Sequence, residues 1–363
     1  MVLFYTLLAS LLLSAISLAL ATATRFRHVQ LLLSVVLLLL LVGITCAWCS
    51  WSAMFVWQSE WIPYDEPGFW ISQVAILSGY VSYLVLFILG AASQISFASD
   101  NRSTRLRIVM LVQQMLFLGW MLYYWLNAPF AGILYLLLTF SAIHWTLMGA
   151  LMTGEWAQLS PRVRRALPQS FLGRSFLTWF NPGSGTGYVF AVSSLAAVVI
   201  VSLLVAWFSH LFQLTDRAWA IPDGFEFVSY GTMLLVYLAA YLGIGRLLTL
   251  WLRRFLSFGL LLPLLLDVVL IALGAAVPAL LQIWILGFDG MDTYTTLQAP
   301  YWLWTLIAAV EGDLTDAIVA PILAMLAAIL IFVVNLGFAT REIAEVRLAT
   351  PERILEDERQ QHP

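Results

Sequence analysis

Residues 162–210 read RVRRALPQSFLGRSFLTWFNPGSGTGYVFAVSSLAAVVIVSLLVAWFSH, and this stretch decides the fold. It begins with a polar segment rich in arginine and continues, from Tyr188 to Ser209, as an apolar run without a charged residue. The apolar residues are continuous instead of alternating at every second position, which favours a helix over a membrane-spanning strand. A helix needs about 20 such residues to cross the hydrocarbon layer. The stretch therefore predicts a transmembrane helix beside a basic loop.

The same pattern recurs along the whole chain. Of its 363 residues, 62% are hydrophobic and 10% are charged, and the mean hydropathy is +0.92. A water-soluble domain cannot cover that much apolar surface, so lipid must be the solvent for most of it. We predict an all-α, polytopic integral membrane helix bundle with about nine transmembrane helices. The predicted spans are residues 2–23, 29–51, 69–95, 108–126, 130–152, 188–209, 227–247, 257–286 and 318–338.

The arginines predict the orientation of these spans. All 17 cationic side chains are arginine, and all but Arg217 fall in alternate loops or in the C-terminal tail, whereas the intervening loops are acidic. Basic loops stay in the cytoplasm, so we place these loops and the C-terminus there. Nine spans with a cytoplasmic C-terminus put Met1 outside. An outside N-terminus fits either a reverse-oriented anchor or the rear portion of a longer permease.

We divide the chain into a transmembrane domain, residues 1–338, and a charged cytoplasmic tail, residues 339–363. In the cytoplasmic loop 153–186, Ser160 and Pro161 form a helix-start signal that predicts a short helix on the membrane surface. The basic side chains of this loop and of the preceding cytoplasmic loop predict contact with anionic membrane lipid or with a partner. They are Arg102, Arg105, Arg107, Arg162, Arg164, Arg165 and Arg174.

Asp267 is the one acidic residue inside a predicted span. An intramembrane carboxylate is costly and indicates a function, so it predicts a polar path for a proton or a cation, with His144 as a candidate partner. The alternative is structural pairing, because Asp267 lies close to the predicted inner boundary, where Arg253 or Arg254 could reach it. This alternative is favoured on the sequence alone.

The outer loop from Gly287 to Asp316 is acidic and contains the aromatic residues Tyr301, Trp302 and Trp304. Aromatic side chains concentrate at the boundary between lipid and water. We therefore expect these three residues to anchor the loop in the outer headgroup layer, in preference to forming a substrate platform.

Missing residue types exclude several functions. The phosphate-binding loop of P-loop ATPases needs a lysine, as does a retinal Schiff base, and the chain contains no lysine. The net charge of −3 and the scattered arginines also argue against binding to nucleic acid. We therefore expect that any ATP hydrolysis belongs to another chain.

Cysteine and histidine give weak signals. Cys46 and Cys49 form a CxxC motif, but the chain has no further cysteine to relay electrons, which favours two small apolar helix residues over a redox pair. The four histidines are scattered and lack the spacing of a metal site. We expect no enzyme activity, no metal and no cofactor.

Two segments carry a resemblance to a known family. One is ISFASDNRSTRLRIVMLVQQ, residues 95–114, and the other is GEWAQLSPRVRRALP followed by FNPGSGTGYVFAV, within residues 154–192. Over roughly residues 69–212 the chain resembles the membrane subunits of type-2 ABC exporters, although these usually have six spans and an amphipathic leader helix. The resemblance implies a bacterial inner (plasma) membrane protein whose cytoplasmic loops, 99–107 and 154–186, contact a separate ATP-hydrolysing subunit.

Three functions follow from these observations. The first is a permease-like subunit of a transport system driven by a separate ATPase. The second is a membrane scaffold or assembly protein without a transport path. The third is an ion-coupled secondary transporter that uses Asp267. A polar environment that converges on Asp267 would favour transport, whereas a paired or lipid-facing Asp267 would favour a scaffold. The substrate, the direction of transport and assembly into a homo- or hetero-oligomer stay open.

Overall fold

The fold is taken from a computed structural model. It describes residues 2–23, 65–95, 101–128, 130–157, 177–212, 222–255, 261–287 and 294–348, together with single positions between 31 and 50.

Regular structure in the described residues is helical throughout. Eight of the helices are long and apolar enough to cross a membrane, which confirms the all-α, polytopic prediction. Three 3-10 turns accompany them at Thr178–Phe180, Thr296–Gln298 and Asp313–Thr315. The α-helices are α1 (Val2–Ala23), α2 (Pro67–Ile95), α3 (Ser103–Asn127), α4 (Ala131–Thr153), α5 (Ser184–Leu211), α6 (Gly224–Leu252), α7 (Leu261–Leu286), α8 (Trp302–Glu311) and α9 (Val319–Leu348).

Eight of the nine predicted spans coincide with the eight long helices. The ninth α-helix, α8, is shorter and corresponds to no predicted span. The remaining predicted span, 29–51, lies mostly outside the described residues and stays a prediction. Helices α1 and α2 run parallel. The Tyr5 hydroxyl donates to Gln73, and the Tyr80 hydroxyl donates to the Leu8 carbonyl, so both helices advance in the same direction.

The chain forms two compact units. The first consists of residues 1–97 and 102–120, and the second of residues 98–101 and 121–363. In the first unit α1 packs against α2, and Trp120 Nε1 donates to Ser78 Oγ at 2.8 Å. The features described below belong to the second unit unless stated otherwise.

Helix α6 is the centre of the second unit and contacts α4, α5, α7, α8 and α9. Glycines let its neighbours approach closely, because a side chain at Gly231 would meet Val199, and one at Gly243 would overlap Ile331. We call the end of the unit where α6 ends at Leu252 the inner end, since the arginine pattern assigns it to the cytoplasm. The opposite end is the outer end.

Residues 294–316 form a re-entrant segment between α7 and α9. After the 3-10 turn Thr296–Gln298 the chain reaches a tip at residues 299–301, and α8 then runs back to Gly312, which adopts a left-handed conformation (φ 84°). At the tip, Trp302 Nε1 donates to the Ile271 carbonyl at 3.0 Å, near the middle of α7. The prediction that Trp302 anchors the outer headgroup layer is therefore wrong. Sequence pattern alone did not distinguish a surface loop from a segment that enters the bundle.

Helix α9 extends past the predicted boundary at residue 338 and continues to Leu348. Ala339 is fully buried, and Glu342 contacts the N-terminus of α5. The first part of the predicted solvated tail therefore packs into the bundle, because α5 and α6 supply partners for its polar side chains.

Candidate functional site

The arginines that the sequence assigned to lipid or partner contact have different surroundings. In the first unit, Arg105 is exposed and Arg102 is partly buried, whereas Arg107 is fully buried. Arg107 shares the buried face of α3 with Ser103 and Met110, at helical spacing, so its side chain is enclosed. The other predicted contacts, Arg162, Arg164, Arg165 and Arg174, lie outside the described residues.

Asp267 lies in the interior of the second unit. Its side chain is only 1% exposed, and among the described residues neither carboxylate oxygen has a hydrogen-bond partner. The carboxylate packs directly on α6, because a Cβ atom built on Gly245 would overlap Asp267 Oδ1. Within the described part of the chain, Asp267 is therefore neither exposed nor hydrogen-bonded.

The partners proposed for Asp267 are engaged elsewhere. His144 is buried in α4, where its ring makes an edge contact with Trp145 at a centroid distance of 5.1 Å, and it does not hydrogen-bond to Asp267. Arg253 instead donates to the carbonyls of Gly154 and Glu155. The predicted structural pairing of Asp267 is thus absent from the described residues, because Arg253 binds the carbonyls at the end of α4 and Arg254 is exposed.

A line of polar groups leads from the tip of the re-entrant segment towards Asp267. The Tyr237 hydroxyl donates to the Ala299 carbonyl at 2.9 Å, and the Tyr241 hydroxyl donates to the Pro300 carbonyl. Tyr241 precedes Gly245 by one helical turn on the same face of α6. Ile271, whose carbonyl binds Trp302, likewise follows Asp267 by one turn on α7, or about 6 Å.

The same line continues to the outer end. Gln298 Nε2 donates to Gln282 Oε1 at 2.7 Å, and both side chains are buried. Tyr294 donates to Thr305 at 3.1 Å, and Thr305 donates in turn to the Gln298 carbonyl. We call the set Tyr237, Tyr241, Gln282, Gln298, Trp302 and Thr305 the polar seam. It lies between α6, α7 and the re-entrant segment, and Asp267 is at its inner foot.

A second polar cluster lies at the inner end. Arg246 is 1% exposed and donates to Glu342 Oε2 at 3.2 Å, to Asn335 Oδ1 at 2.8 Å and to Ser184 Oγ at 3.1 Å. The Asn335 amide also donates to the Gly243 carbonyl at 3.2 Å. We call Ser184, Arg246, Asn335 and Glu342 the inner cluster. Its charges and hydrogen bonds join α5, α6 and α9.

Glu342 also caps a helix in the inner cluster. Its carboxylate accepts from the backbone N–H groups of Ser184 at 3.1 Å and Gly185 at 2.9 Å, and so caps the N-terminus of α5. An anion is favourable there because the first N–H groups of a helix lack intrahelical acceptors. Gly183 precedes them with φ 149°, a conformation that favours glycine, and a Cβ atom at Gly185 would overlap Ala339.

The inner boundary is closed by Arg253. Its guanidinium lies 4.5 Å from the ring of Trp156 and binds the carbonyls at the end of α4. Burial lowers the pKa of Arg253, and the nearby Glu342 carboxylate raises it. The guanidinium keeps its charge at physiological pH, because arginine is effectively always protonated. Arg253 thus places a fixed positive charge at the C-terminus of α4, where cations are stabilising.

Sequence reasoning identified Asp267 but missed most of its surroundings. Arg246 was assigned to a cytoplasmic loop, yet it lies inside α6 and is buried. Asn335 and Gln282 were readable signals, since each is the only amide side chain in its predicted span. Glu342 carried no such signal, because its role depends on the position of α5.

The site has no metal-binding constellation. Within the described ranges, no group of three or more His, Cys, Asp or Glu side chains could hold a metal ion. Cys46 is a free, exposed thiol, and Cys49 lies outside the described residues. The chemistry that the arrangement offers is the uptake and release of a small cation by one carboxylate.

Comparison with known proteins does not identify a relative. No protein-family model, no curated protein and no solved structure matches the chain. The resemblance to type-2 ABC exporter subunits therefore stays a prediction, and function must be argued from the site.

Proposed function

We propose that this chain is a permease-like transport protein of the cell's inner (plasma) membrane, in which Asp267 binds a cation during the transport cycle. The observation that supports the proposal is a buried carboxylate that lies at the foot of a polar seam and has no hydrogen-bond partner in the described ranges. A carboxylate that served only to join helices would be hydrogen-bonded, since an unpaired buried charge is strongly destabilising.

The polar seam supports an approach to Asp267 from the outer end. Irregular backbone at membrane depth occurs where it is enclosed by protein or lines a cavity, and the re-entrant segment is enclosed by α6 and α7. Its tip is held by hydrogen bonds from single side chains, such as Tyr241 to the Pro300 carbonyl. Such bonds are individually weak enough, at about 1 kcal/mol, to break and re-form in a transport cycle.

The inner cluster supports closure of the opposite side. Arg246 and Glu342 bind α5, α6 and α9 together one residue beyond Gly245, the neighbour of Asp267. Transport would require a second helix packing in which this cluster opens while the tip of the re-entrant segment stays closed. The two polar groupings lie on the two sides of Asp267 along α6, as an alternating-access mechanism needs.

Charge displacement in reconstituted protein tests this function. We expect the wild-type protein on a solid-supported membrane to give a transient current when the proton, Na⁺ or K⁺ concentration is raised in turn. The current should be lost in Asp267→Asn and kept in Asp316→Asn, a matched control in which an exposed carboxylate is removed. A wild type without current for all three ions, or an unchanged current in Asp267→Asn, would contradict the proposal.

Dependence on a separate ATPase is a further proposal that rests on the resemblance. The loop that would contact the ATPase, 154–186, is only partly within the described residues. Purification in a mild detergent should retain a nucleotide-binding subunit if the ATPase drives transport. A chain that is recovered alone, and still gives the current described above, would favour ion-coupled secondary transport.

The scaffold hypothesis makes the opposite prediction for Asp267. A scaffold gains nothing from an unpaired buried carboxylate, so Asp267→Asn should stabilise it without loss of function. The environment of Asp267 therefore favours transport over scaffolding.

A further inference from the structure

We propose that the cation which Asp267 binds is a proton and not a metal ion; this inference rests on the proposed transport function. Three properties of the site favour a proton: the coordination that each ion needs, the acceptors that the polar seam provides, and the space next to Asp267.

Metal cations of the alkali and alkaline-earth groups need a shell of oxygen ligands. Ca²⁺ takes about 6–8 oxygens, and Mg²⁺ takes about six. Asp267 supplies two, and no group of three acidic, histidine or cysteine side chains lies together in the described part of the chain. A proton, by contrast, needs a single oxygen lone pair.

Backbone carbonyls could complete a metal shell, but those near the tip of the re-entrant segment already accept hydrogen bonds. Tyr237 binds the carbonyl of Ala299, and Tyr241 binds that of Pro300. Trp302 binds the carbonyl of Ile271. A metal ion at these carbonyls would compete with the donors that are already bound, and each donor left unpaired in the interior would cost about 1–3 kcal/mol.

The space beside the carboxylate is also too small for a coordinated ion. Asp267 Oδ1 lies where a single methyl group on Gly245 would overlap it, and the side chain is almost fully enclosed. A metal ion with its ligands about 2.0–2.6 Å away would have to separate α6 from α7. A proton adds no such volume. Gly245 therefore acts as a selectivity position, because it keeps the carboxylate against the helix backbone.

No other titratable group on the described elements packed against α7 hydrogen-bonds to the Asp267 carboxylate. The elements packed against α7 carry Tyr237, Tyr241 and Arg246 on α6, and His144 on α4. Tyr301 lies at the tip of the re-entrant segment, whereas Tyr135, Glu226, Tyr230, Tyr294 and Glu311 lie nearer the outer end, away from the inner foot of the seam. None of them hydrogen-bonds to Asp267. A pH-dependent signal that disappears when Asp267 is replaced can therefore be assigned to this carboxyl.

Infrared difference spectroscopy on the reconstituted full chain tests the inference without knowledge of the transported solute. The protein is exposed first to a pH step at constant salt, and then to exchange of choline chloride for NaCl or KCl at constant pH. We expect the pH step to produce a carboxyl C=O band that is present in wild type and Asp316→Asn and absent in Asp267→Asn. We expect no such band on exchange of the salt.

Two outcomes would overturn the inference in distinguishable ways. A band of Asp267 that responds to Na⁺ or K⁺ at constant pH would show a metal cation at the site and would leave the transport proposal intact. Spectra of Asp267→Asn that equal those of wild type in both experiments would show that Asp267 exchanges no ion, and both proposals would fail.

Additional variants keep the test valid if Asp267→Asn does not fold. Asp267→Glu retains a carboxyl group and should retain a pH-dependent band at a shifted frequency. Gly245→Ala adds a methyl group against Oδ1 and should change the pH at which the band appears, while Gly337→Ala, at a glycine with open space around it, should not. Equal spectra for Gly245→Ala and wild type would contradict the selectivity role of Gly245.

Discussion

Replacement of Glu342 should destabilise the inner end of the bundle. The loss in the free energy of unfolding can be worked out from the contacts of Glu342. In Glu342→Ala, Arg246 loses its only ionic partner among the described residues, at 3.2 Å, and α5 loses the acceptor for two N–H groups. Breaking a buried ion pair costs about 3–5 kcal/mol. Glu342 keeps 21% side-chain exposure, and Asn335 still binds Arg246, so we expect the lower end, about 3 kcal/mol, including the lost cap.

Equilibrium unfolding in mixed micelles is the assay. The protein is titrated with SDS, tryptophan fluorescence follows unfolding, and the free energy of unfolding is compared between variants. Glu342→Gln should lose about half as much stability as Glu342→Ala, because the amide oxygen still accepts a hydrogen bond but carries no charge. Glu311→Gln, which alters an exposed carboxylate at the end of α8, is the matched control and should be nearly neutral.

A double-mutant cycle isolates the ion pair from the cap. Arg246→Gln combined with Glu342→Gln should be more stable than the sum of the single losses predicts, with a coupling of about 1–3 kcal/mol. Additive single losses, or a Glu342→Gln loss no larger than that of Glu311→Gln, would refute the idea that the inner cluster holds the three helices together.

Three further predictions concern the packing of α5 on α9, the tip of the re-entrant segment and the orientation in the membrane. Gly185→Ala should destabilise the chain by more than about 2 kcal/mol, because the new methyl group overlaps the α9 backbone, whereas Gly337→Ala should not, as SDS unfolding would measure. Tyr241→Phe should release the tip of the re-entrant segment and speed amide hydrogen exchange there, and unchanged exchange would contradict the depth assigned to that tip. Cysteines at Arg102 and Arg164 should react with an impermeant thiol reagent from the same side of the membrane, and labelling from opposite sides would disprove the orientation.

The helices could be predicted because membrane spans leave a long, continuous signal. Each requires about 20 apolar residues and satisfies its own backbone hydrogen bonds, so neighbouring helices are not needed to recognise it. The re-entrant segment lacks this independence. Its helix, Trp302–Glu311, is too short to cross the membrane, and its depth is set by acceptors on other helices, such as the Ile271 carbonyl. A local sequence pattern cannot contain that information.

The candidate site was predictable in part for the same reason. Asp267 stands out as one acidic residue within an apolar span, and its burial followed from that position. Its lack of a partner did not, because the outcome depended on competition among donors. Arg253 lies near the predicted inner boundary, as Asp267 does, which suggested that the two pair. In the structure Arg253 instead donates to the carbonyls at the end of α4. The sequence named the residues but could not rank their contacts.

The arrangement of charge around Gly245 connects the two polar groupings. Arg246 follows Gly245 on α6, and Asp267 packs against Gly245, yet the two do not pair, because Arg246 is bound by Glu342, Asn335 and Ser184. An arginine that also faced Asp267 would hold it as a fixed carboxylate and prevent uptake of a cation. The inner cluster therefore does more than join helices, since it occupies the one buried guanidinium next to Gly245. Release of Arg246 from Glu342 would bring a positive charge within reach of Asp267 and favour loss of its cation, so opening of the inner end and discharge of the site would be coupled.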